Sequence, residues 1–245
     1  MNIVVSGRRE DALAAMVSEL RGQGVQAEAV PADLSDLGQV DPLIERSQDA
    51  LGPLDVVINN AGVELTAAFT RATRDELTSM VELNLTVPML LTHRVVPGML
   101  ERGRGHVVFI SSMAGKVGPA YSEPYAATKA GLIGLTQSLR AEYRDAPVGF
   151  SVVCPGFVAG DGMYQRMADQ GIRSNRIIGH TTTEKVANQV VGAIRRDRPE
   201  VVESGSPVRP ILALGQIAPR LVERILIRAG THEWFRRVAA ERDRA

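Results

Sequence analysis

Lysine is nearly missing from this 245-residue chain: Lys116, Lys129 and Lys185 are the only three among 28 basic residues. The others are arginines, whose charge is fixed, so each lysine places a group whose pKa can be tuned. Cysteine is scarcer still. Cys154 stands alone, which excludes an internal disulfide and fits a reducing compartment. Aromatics make up only 4% of the residues, with a single tryptophan. Charge of one sign is lacking too: 28 basic and 28 acidic residues cancel, so nothing marks a nucleic-acid binder. His93, His106, His180 and His232 are scattered without metal-ligand spacing, and no metal site is expected. No apolar run reaches the roughly 18 residues of a spanning helix, and no signal peptide is present. The expectation is a cytoplasmic protein.

What is present alternates. Apolar, β-branched runs at Val25 to Val30, Leu54 to Ile58, His106 to Ser112, Gly149 to Cys154 and Glu200 to Glu203 read as strands. Between them, helical periodicity covers Glu10 to Arg21, Asp36 to Leu51, Thr73 to Glu101, Tyr125 to Arg144 and a stretch from Thr183 to Ile194. Such alternation predicts βαβ units on a parallel sheet, an α/β fold. With 44% hydrophobic residues the chain can bury a large single core.

Tyr125-Ala126-Ala127-Thr128-Lys129 carries the chemistry. Tyr and Lys four apart lie on one helix face. An ammonium held there is expected to lower the phenol from its ordinary pKa of about 10 towards neutrality. A Tyr tuned in this way can pass a proton to or from a substrate oxygen. Ser112 ends a buried strand 13 residues upstream, and the C-terminal ends of parallel strands line the ligand crevice of open α/β sheets. Asn59-Asn60-Ala61-Gly62 ends another strand, with small residues that let a flat ligand approach the backbone. Asn84 sits in a helical stretch as a polar residue among apolar ones, read either as a satisfied core residue or as a helix irregularity.

Asn-Asn-Ala-Gly, a helical Asn, a strand-end Ser and Tyr-x-x-x-Lys follow one another in the order of the short-chain dehydrogenase/reductase family, which this chain resembles from Asn2 to about Gly205. Pro155-Gly156-Phe157-Val158 and Ala32-Asp33-Leu34 match further landmarks. The resemblance implies a Rossmann-like doubly wound parallel sheet over residues 1–206, with a C-terminal helical extension over 207–245. It implies Tyr125 as general acid/base, Lys129 as its tuner, Ser112 as the group on the substrate oxygen, and Asn84 as holder of a relay water. Arg8, Asp33, Asn60, Ala61, Gly62, Pro155, Gly156 and Val158 are the implied cofactor contacts, together with Tyr125 and Lys129. Arg8 after the opening strand suits a 2′-phosphate, so NADP(H) is preferred, with NAD(H) as the alternative. A small-molecule substrate and a homo-oligomer are implied as well.

The chain also departs from the family. The family opens with a strand, a Thr-Gly-x-x-x-Gly-x-Gly turn and a helix, whose N–H groups meet the cofactor pyrophosphate. No such turn exists here, and Met1 to Glu10 resembles the family's second strand and the loop after it. The first βα unit, about 30 residues, is therefore expected to be missing from the sequence as given. Three explanations stand: a start downstream of the true one, a truncated product, or a repacked sheet. Gly160 replaces the Thr that the family often sets against the nicotinamide amide.

Residues 159–180 correspond to the family's substrate lid, where Met163, Tyr164, Met167, Ile172, Ile177 and Ile178 give an apolar inner face suited to a lipophilic alcohol or carbonyl. In the tail, Arg220, Arg224 and Arg228 recur beside Leu221, Val222, Ile225 and Leu226 on an expected helix from Ile217 to Ile227. A basic amphipathic helix folds back on the body or makes peripheral contact with a membrane, with Trp234-Phe235 as an interface anchor. The expected function is hydride transfer between NADP(H) and a carbonyl or secondary alcohol. The alternative is a catalytically impaired Rossmann-like binding or assembly module. An epimerase or dehydratase built on the same Tyr-Lys pair is a third reading, though the tail is short for one.

Overall fold

The computed structural model describes residues 2–160, 180–228 and 230–242. Short β-branched segments form its parallel strands: β1 (Ile3–Val5), β2 (Ala27–Ala29), β3 (Val56–Asn59), β4 (Gly105–Ile110), β5 (Val148–Pro155), the two-residue β6 (Val158–Ala159) and β7 (Thr181–Thr182), and β8 (Glu200–Glu203). The helices between them are α1 (Glu10–Gly22), α2 (Val40–Leu51), α3 (Arg74–Val81), α4 (Val87–Arg102), the short α5 (Ala114–Val117), α6 (Glu123–Glu142) and α7 (Thr183–Arg196). This is the expected Rossmann-like α/β architecture, a parallel sheet with helices on its faces.

The expected helix over Thr73 to Glu101 is in fact two. Thr73 starts α3 through a capping box: its hydroxyl oxygen accepts from the Glu76 N–H at 3.2 Å, and the Glu76 carboxylate accepts from the Thr73 N–H at 2.9 Å. Residues Glu82–Thr86 then form a π-helical turn before α4 begins. Such a turn inserts an extra residue per turn and is common at functional sites. Asn84 lies in it.

β3, β4, β5 and β8 are joined in that order, Val57 pairing with Val107, Val107 with Phe150, and Val153 with Val201. β1 and β2 form a separate two-stranded sheet, and β6 and β7 another. Among the described residues β1 and β3 share no ladder, so each leaves one edge unpaired. On β3, Val56 and Ile58 are 39% and 48% exposed, unusual for a parallel strand, which is ordinarily covered on both faces. On the other face a continuous apolar cluster ties the pieces together. It includes Val4 and Val30 from the small sheet, Leu43 and Ile44 from α2, Val87, Leu91 and Val95 from α4, and Val107, Phe109 and Phe150 from the larger sheet. Leu132 and Ile133 bring α6 into the same cluster, which fixes the helix that carries Tyr125 and Lys129. A smaller cluster of Val108, Val153, Val190, Ala193 and Val201 holds α7 against the opposite face.

The tail forms α8 (Arg209–Ile217), α9 (Pro219–Arg228) and α10 (Thr231–Arg242). The expected helix from Ile217 to Ile227 is broken at Ala218, because Pro219 disfavours helical backbone in the residue before it. Trp234 and Phe235 do not anchor an interface. Each is only 8% exposed, buried against Phe157 and Tyr121 of its own chain. Among the described residues no helix is long and apolar enough to cross a membrane.

Candidate active site

Strand β4 and helix α6 bring the expected catalytic residues together. Ser112 stands two residues beyond β4, and Tyr125 and Lys129 lie one turn apart on α6. The two elements are pinned where they meet. Ser111 Oγ donates to the Lys129 carbonyl at 2.7 Å, and Lys129 Nζ donates to the Ile110 carbonyl at 2.9 Å. The Ser112 hydroxyl lies where it favours the ionised form of the Tyr125 phenol, and Ser112 Oγ accepts from the Ala114 N–H at 3.1 Å. The approach of α5 to α6 requires glycine: a Cβ on Gly115 would fall 2.7 Å from the Lys129 carbonyl carbon.

Asn84 reaches the site from the π-helical turn and is wholly buried. Its Oδ1 accepts from the Val63 N–H at 2.8 Å, and its Nδ2 donates to the Val63 carbonyl at 2.8 Å and to Thr128 Oγ1 at 3.2 Å. Thr128 in turn donates to the Tyr125 carbonyl at 2.8 Å. Asn84 thus ties the loop after β3 to helix α6. In that loop, a Cβ on Gly62 would come within 3.0 Å of Asn84 Oδ1 and 3.4 Å of Lys129 Nζ.

The electrostatics overturn one expectation. The Tyr125 phenol titrates above its ordinary range, because burial penalises the phenolate and the Glu64 charge adds to the penalty; the Ser112 hydrogen bond works the other way. Lys129 does not dominate, since its Nζ sits 5.6 Å from the Tyr125 ring centre and is bonded to Ile110. Burial pushes the Lys129 ammonium down to about 8, against smaller upward effects from Cys154 and Glu64. Here desolvation outweighs the pairwise attraction.

The remaining candidates lie at the C-terminal ends of the parallel strands. Arg8 and Asp33 follow β1 and β2, and both are exposed. Hydrogen bonds from the Ser35 hydroxyl and N–H hold the Asp33 carboxyl below its usual range, with a lesser contribution from Arg8. Asn60, Ala61 and Gly62 follow β3. Pro155 ends β5, Gly156 donates its N–H to the Glu203 carbonyl at 2.8 Å, and Val158 lies in β6. Met163, Tyr164, Met167, Ile172, Ile177 and Ile178 of the expected lid lie outside the described residues.

Sequence reasoning missed four participants. Glu64 acts on both Tyr125 and Lys129, yet a lone acid in a loop gives no spacing signal. Ser111 and Thr128 pin the helix, and Tyr121, in the turn before α6, holds φ at 65°. Only the Ser-Ser doublet at 111 and 112 hinted at any of these.

A nicotinamide cofactor fits one part of this site. Tyr125, Lys129 and the Asn60-Ala61-Gly62 backbone could hold its ribose, and buried Asn59 beside them has neither side-chain nitrogen nor oxygen hydrogen-bonded among the described residues. For the pyrophosphate, no glycine-rich turn after a strand occurs in the sequence.

Comparison with known proteins gives the family. The family model described as short chain dehydrogenase matches residues 1–171. The ketoacyl reductase HetN of Nostoc sp. is 37% identical over 238 residues, covering 95% of this chain and 80% of that protein. A short-chain dehydrogenase/reductase from Burkholderia phymatum, solved with NAD, superposes with a TM-score of 0.77 at 25% identity, covering 90% of this chain and 86% of that one. An actinorhodin polyketide ketoreductase solved with NADPH gives 0.75 at 29% identity, over 83% of this chain and 86% of its own. The sequence match over residues 1–171 and the shared fold carry one conclusion: the chain belongs to the short-chain dehydrogenase family of NAD(P)-dependent oxidoreductases.

Proposed function

We propose that this protein transfers hydride between NADP(H) and a lipophilic carbonyl or secondary alcohol, a 3-oxoacyl chain being the class that the similar ketoacyl reductases suggest. The convergence of Ser112, Tyr125 and Lys129 where β4 meets α6, pinned by the Ser111–Lys129 and Lys129–Ile110 hydrogen bonds, carries the reading. One substrate oxygen can meet both hydroxyls, Ser112 donating to the carbonyl and Tyr125 supplying the proton as the oxygen gains charge. The nicotinamide supplies the hydride chemistry when bound.

The chain's own residues do the rest. The raised pKa keeps the Tyr125 proton in place until a substrate oxygen takes it. Lys129, near neutrality at about 8, is the group proposed to restore that proton. Asn84 holds the loop after β3 against α6 and so positions both; a relay water beside it belongs to the same reading. Arg8, exposed beside Asp33, is the group that favours a 2′-phosphate. Cytoplasmic location and homo-oligomeric assembly complete the proposal.

The test is NADPH oxidation with a panel of 3-oxoacyl esters and aliphatic ketones, run beside Tyr125→Phe. Turnover that survives the substitution would reject the assignment. A second reading, a binding or assembly module without catalysis, is favoured by the β1 and β3 edges, which share no ladder among the described residues. NADPH titration separates the two: no binding up to millimolar cofactor supports the module.

Peripheral membrane contact through α9 rests on one feature. Leu221, Ile225 and Ile227 are 48%, 38% and 56% exposed, close to Arg220, Arg224 and Arg228 in the sequence. Co-sedimentation with phosphatidylserine vesicles but not phosphatidylcholine vesicles is the expected result.

A further inference from the structure

At the end of the sheet away from Ser112, a buried histidine stands in a polar cluster that the proposed chemistry does not use. His106 lies near the start of β4 and is only 7% exposed. Its Nε2 is 2.8 Å from Ser151 Oγ on β5, and the wholly buried Ser151 donates its hydroxyl to the Arg198 carbonyl at 2.6 Å. A hydroxyl has one proton to give, so Nε2 carries the hydrogen of this pair and Nδ1 of the neutral ring is bare. Glycine is required beneath the ring: a Cβ on Gly149 would collide with His106 Nδ1 and fall 2.8 Å from Asp197 Oδ1. The bare nitrogen and the Asp197 carboxylate therefore flank the same gap.

Asp197 caps the C-terminus of α7 with φ at 45°, left-handed backbone that Gly, Asn and Asp adopt most readily. The Arg140 guanidinium of α6 grips it as a fork, Nη1 donating to Oδ1 at 2.6 Å and Nη2 to Oδ2 at 3.0 Å. Nη1 also donates to the Phe150 carbonyl on β5 at 2.8 Å. One cluster thus fastens the ends of α6 and α7 to the starts of β4 and β5. Among the described residues, the charges that act on His106 are Asp197, from the turn after α7, and Arg140, from α6. Nearby charges are engaged elsewhere. Arg198 Nη1 donates to Gln189 Oε1 at 3.5 Å, and the carboxylate of Asp55, whose carbonyl accepts the His106 N–H, pairs with Arg104 at 3.2 Å.

A proton on Nδ1 places a second cation beside Arg140 in a buried site. Asp197 can answer it only by leaving the Arg140 fork; otherwise the ring must leave Ser151 for water. Either movement frees the turn after α7. We propose that His106, Ser151, Arg140 and Asp197 form a proton-operated clasp, closed while the ring is neutral and released when it gains a proton. The clasp bears on the candidate site through β8, the strand that follows the clasped turn: its Glu203 accepts from the Gly156 N–H at 2.8 Å and from the Thr181 hydroxyl at 2.9 Å. It stands whether or not the chain reduces a carbonyl.

Burial holds the imidazole below its ordinary range; Asp197 opposes this, and the Arg140 charge adds to it. The unfolded chain therefore takes up the proton first as pH falls. Stability from this group is full above about pH 6.5 and is lost below it.

The test compares the full chain with His106→Gln, which keeps an amide donor for Ser151 and takes up no proton. In thermal melts from about pH 8 to about pH 5, the parent should lose more than the variant, the two curves parting below about pH 6.5. Hydrogen exchange corrected for intrinsic rate should quicken over residues 193–198 at the acid end in the parent alone. The His106 ring proton should titrate below about 6.5. Asp197→Asn, which tolerates the left-handed turn, should lower that midpoint further, because the opposing charge is gone. If His106→Gln does not fold, the ring titration in the parent and in Asp197→Asn decides alone. Parallel melts, exchange that ignores pH over residues 193–198, or a His106 midpoint at or above its ordinary value would overturn the clasp.

Discussion

Lys129 Nζ donates to the Ile110 carbonyl at 2.9 Å while standing 5.6 Å from the centre of the Tyr125 ring. The ammonium is therefore fastened to the end of β4 first and to its partner phenol only at a distance. Its burial drives the pKa down to about 8, below an unfolded value of about 10.4. The folded chain then binds fewer protons than the unfolded chain between about pH 8 and pH 10.4, so stability from this group rises with pH across that window. Below pH 8 the whole penalty applies, on the order of 3 kcal/mol. Lys129→Met removes the charge and loses the bond to Ile110. The variant is expected to melt higher than the parent at pH 7, by about 1–2 kcal/mol, with the gap closing towards pH 10. Thermal melts of both proteins from pH 7 to pH 10 check this; a gap independent of pH would refute it. NADPH oxidation by the variant should be lost throughout.

Tyr125→Phe removes one oxygen from a buried site. The oxygen gives up at most its interaction with the Ser112 hydroxyl, so stability should fall by no more than about 1 kcal/mol. Turnover should fall at least 10²-fold to 10⁴-fold, the usual range for a positioned proton donor. Calorimetry and NADPH oxidation on one preparation separate the two effects. A parallel loss of both would make Tyr125 a structural residue.

The parallel architecture was legible because β-branched runs such as Val107 to Ile110 carry their burial in their composition. The site was legible through three local facts: a Ser at a strand end, a Tyr and Lys one turn apart, and an Asn out of place in a helix. The direction of the Tyr125 shift was not, because spacing reports proximity but not burial, and here burial decides. The π-helical turn at Glu82–Thr86 was half legible: Asn84 reads as a satisfied core residue or a helix irregularity and is both, but the bonds that explain it run to Val63 and Thr128, 21 and 44 residues away. The break in the tail was present in the sequence at Pro219 and was outweighed by the helical period around it. The contact of Phe157 with Trp234 spans 77 positions and leaves no local pattern at all.

Asn84→Ala should be costly. It strips partners from both the N–H and the carbonyl of Val63, as well as from Thr128. Unpaired and part-buried, those groups should cost about 2–4 kcal/mol in total. Asn84→Asp keeps the acceptor for the Val63 N–H but cannot donate to its carbonyl, and should fall between the two. Denaturant titration ranks the three proteins. Asn84→Ala as stable as the parent would show that these bonds contribute nothing.

Asn59 presents the opposite case. Its amide is 6% exposed at the end of β3, and neither Nδ2 nor Oδ1 has a partner among the described residues. β3 also has an unpaired edge among the described residues, with exposed Val56 and Ile58. A buried amide without hydrogen bonds costs about 1–3 kcal/mol, so an apolar residue of similar size should relieve it. Asn59→Leu is expected to raise stability by about 1–2 kcal/mol, allowing for the change of shape. If the amide instead bonds a group that joins β3 at its open edge, the substitution will lower stability, because the lost bonds then outweigh the desolvation relieved. Urea denaturation of the parent and variant reads the sign directly. A positive change means that Asn59 is unsatisfied in the chain as it folds; a negative one means that the open edge of β3 is occupied in solution.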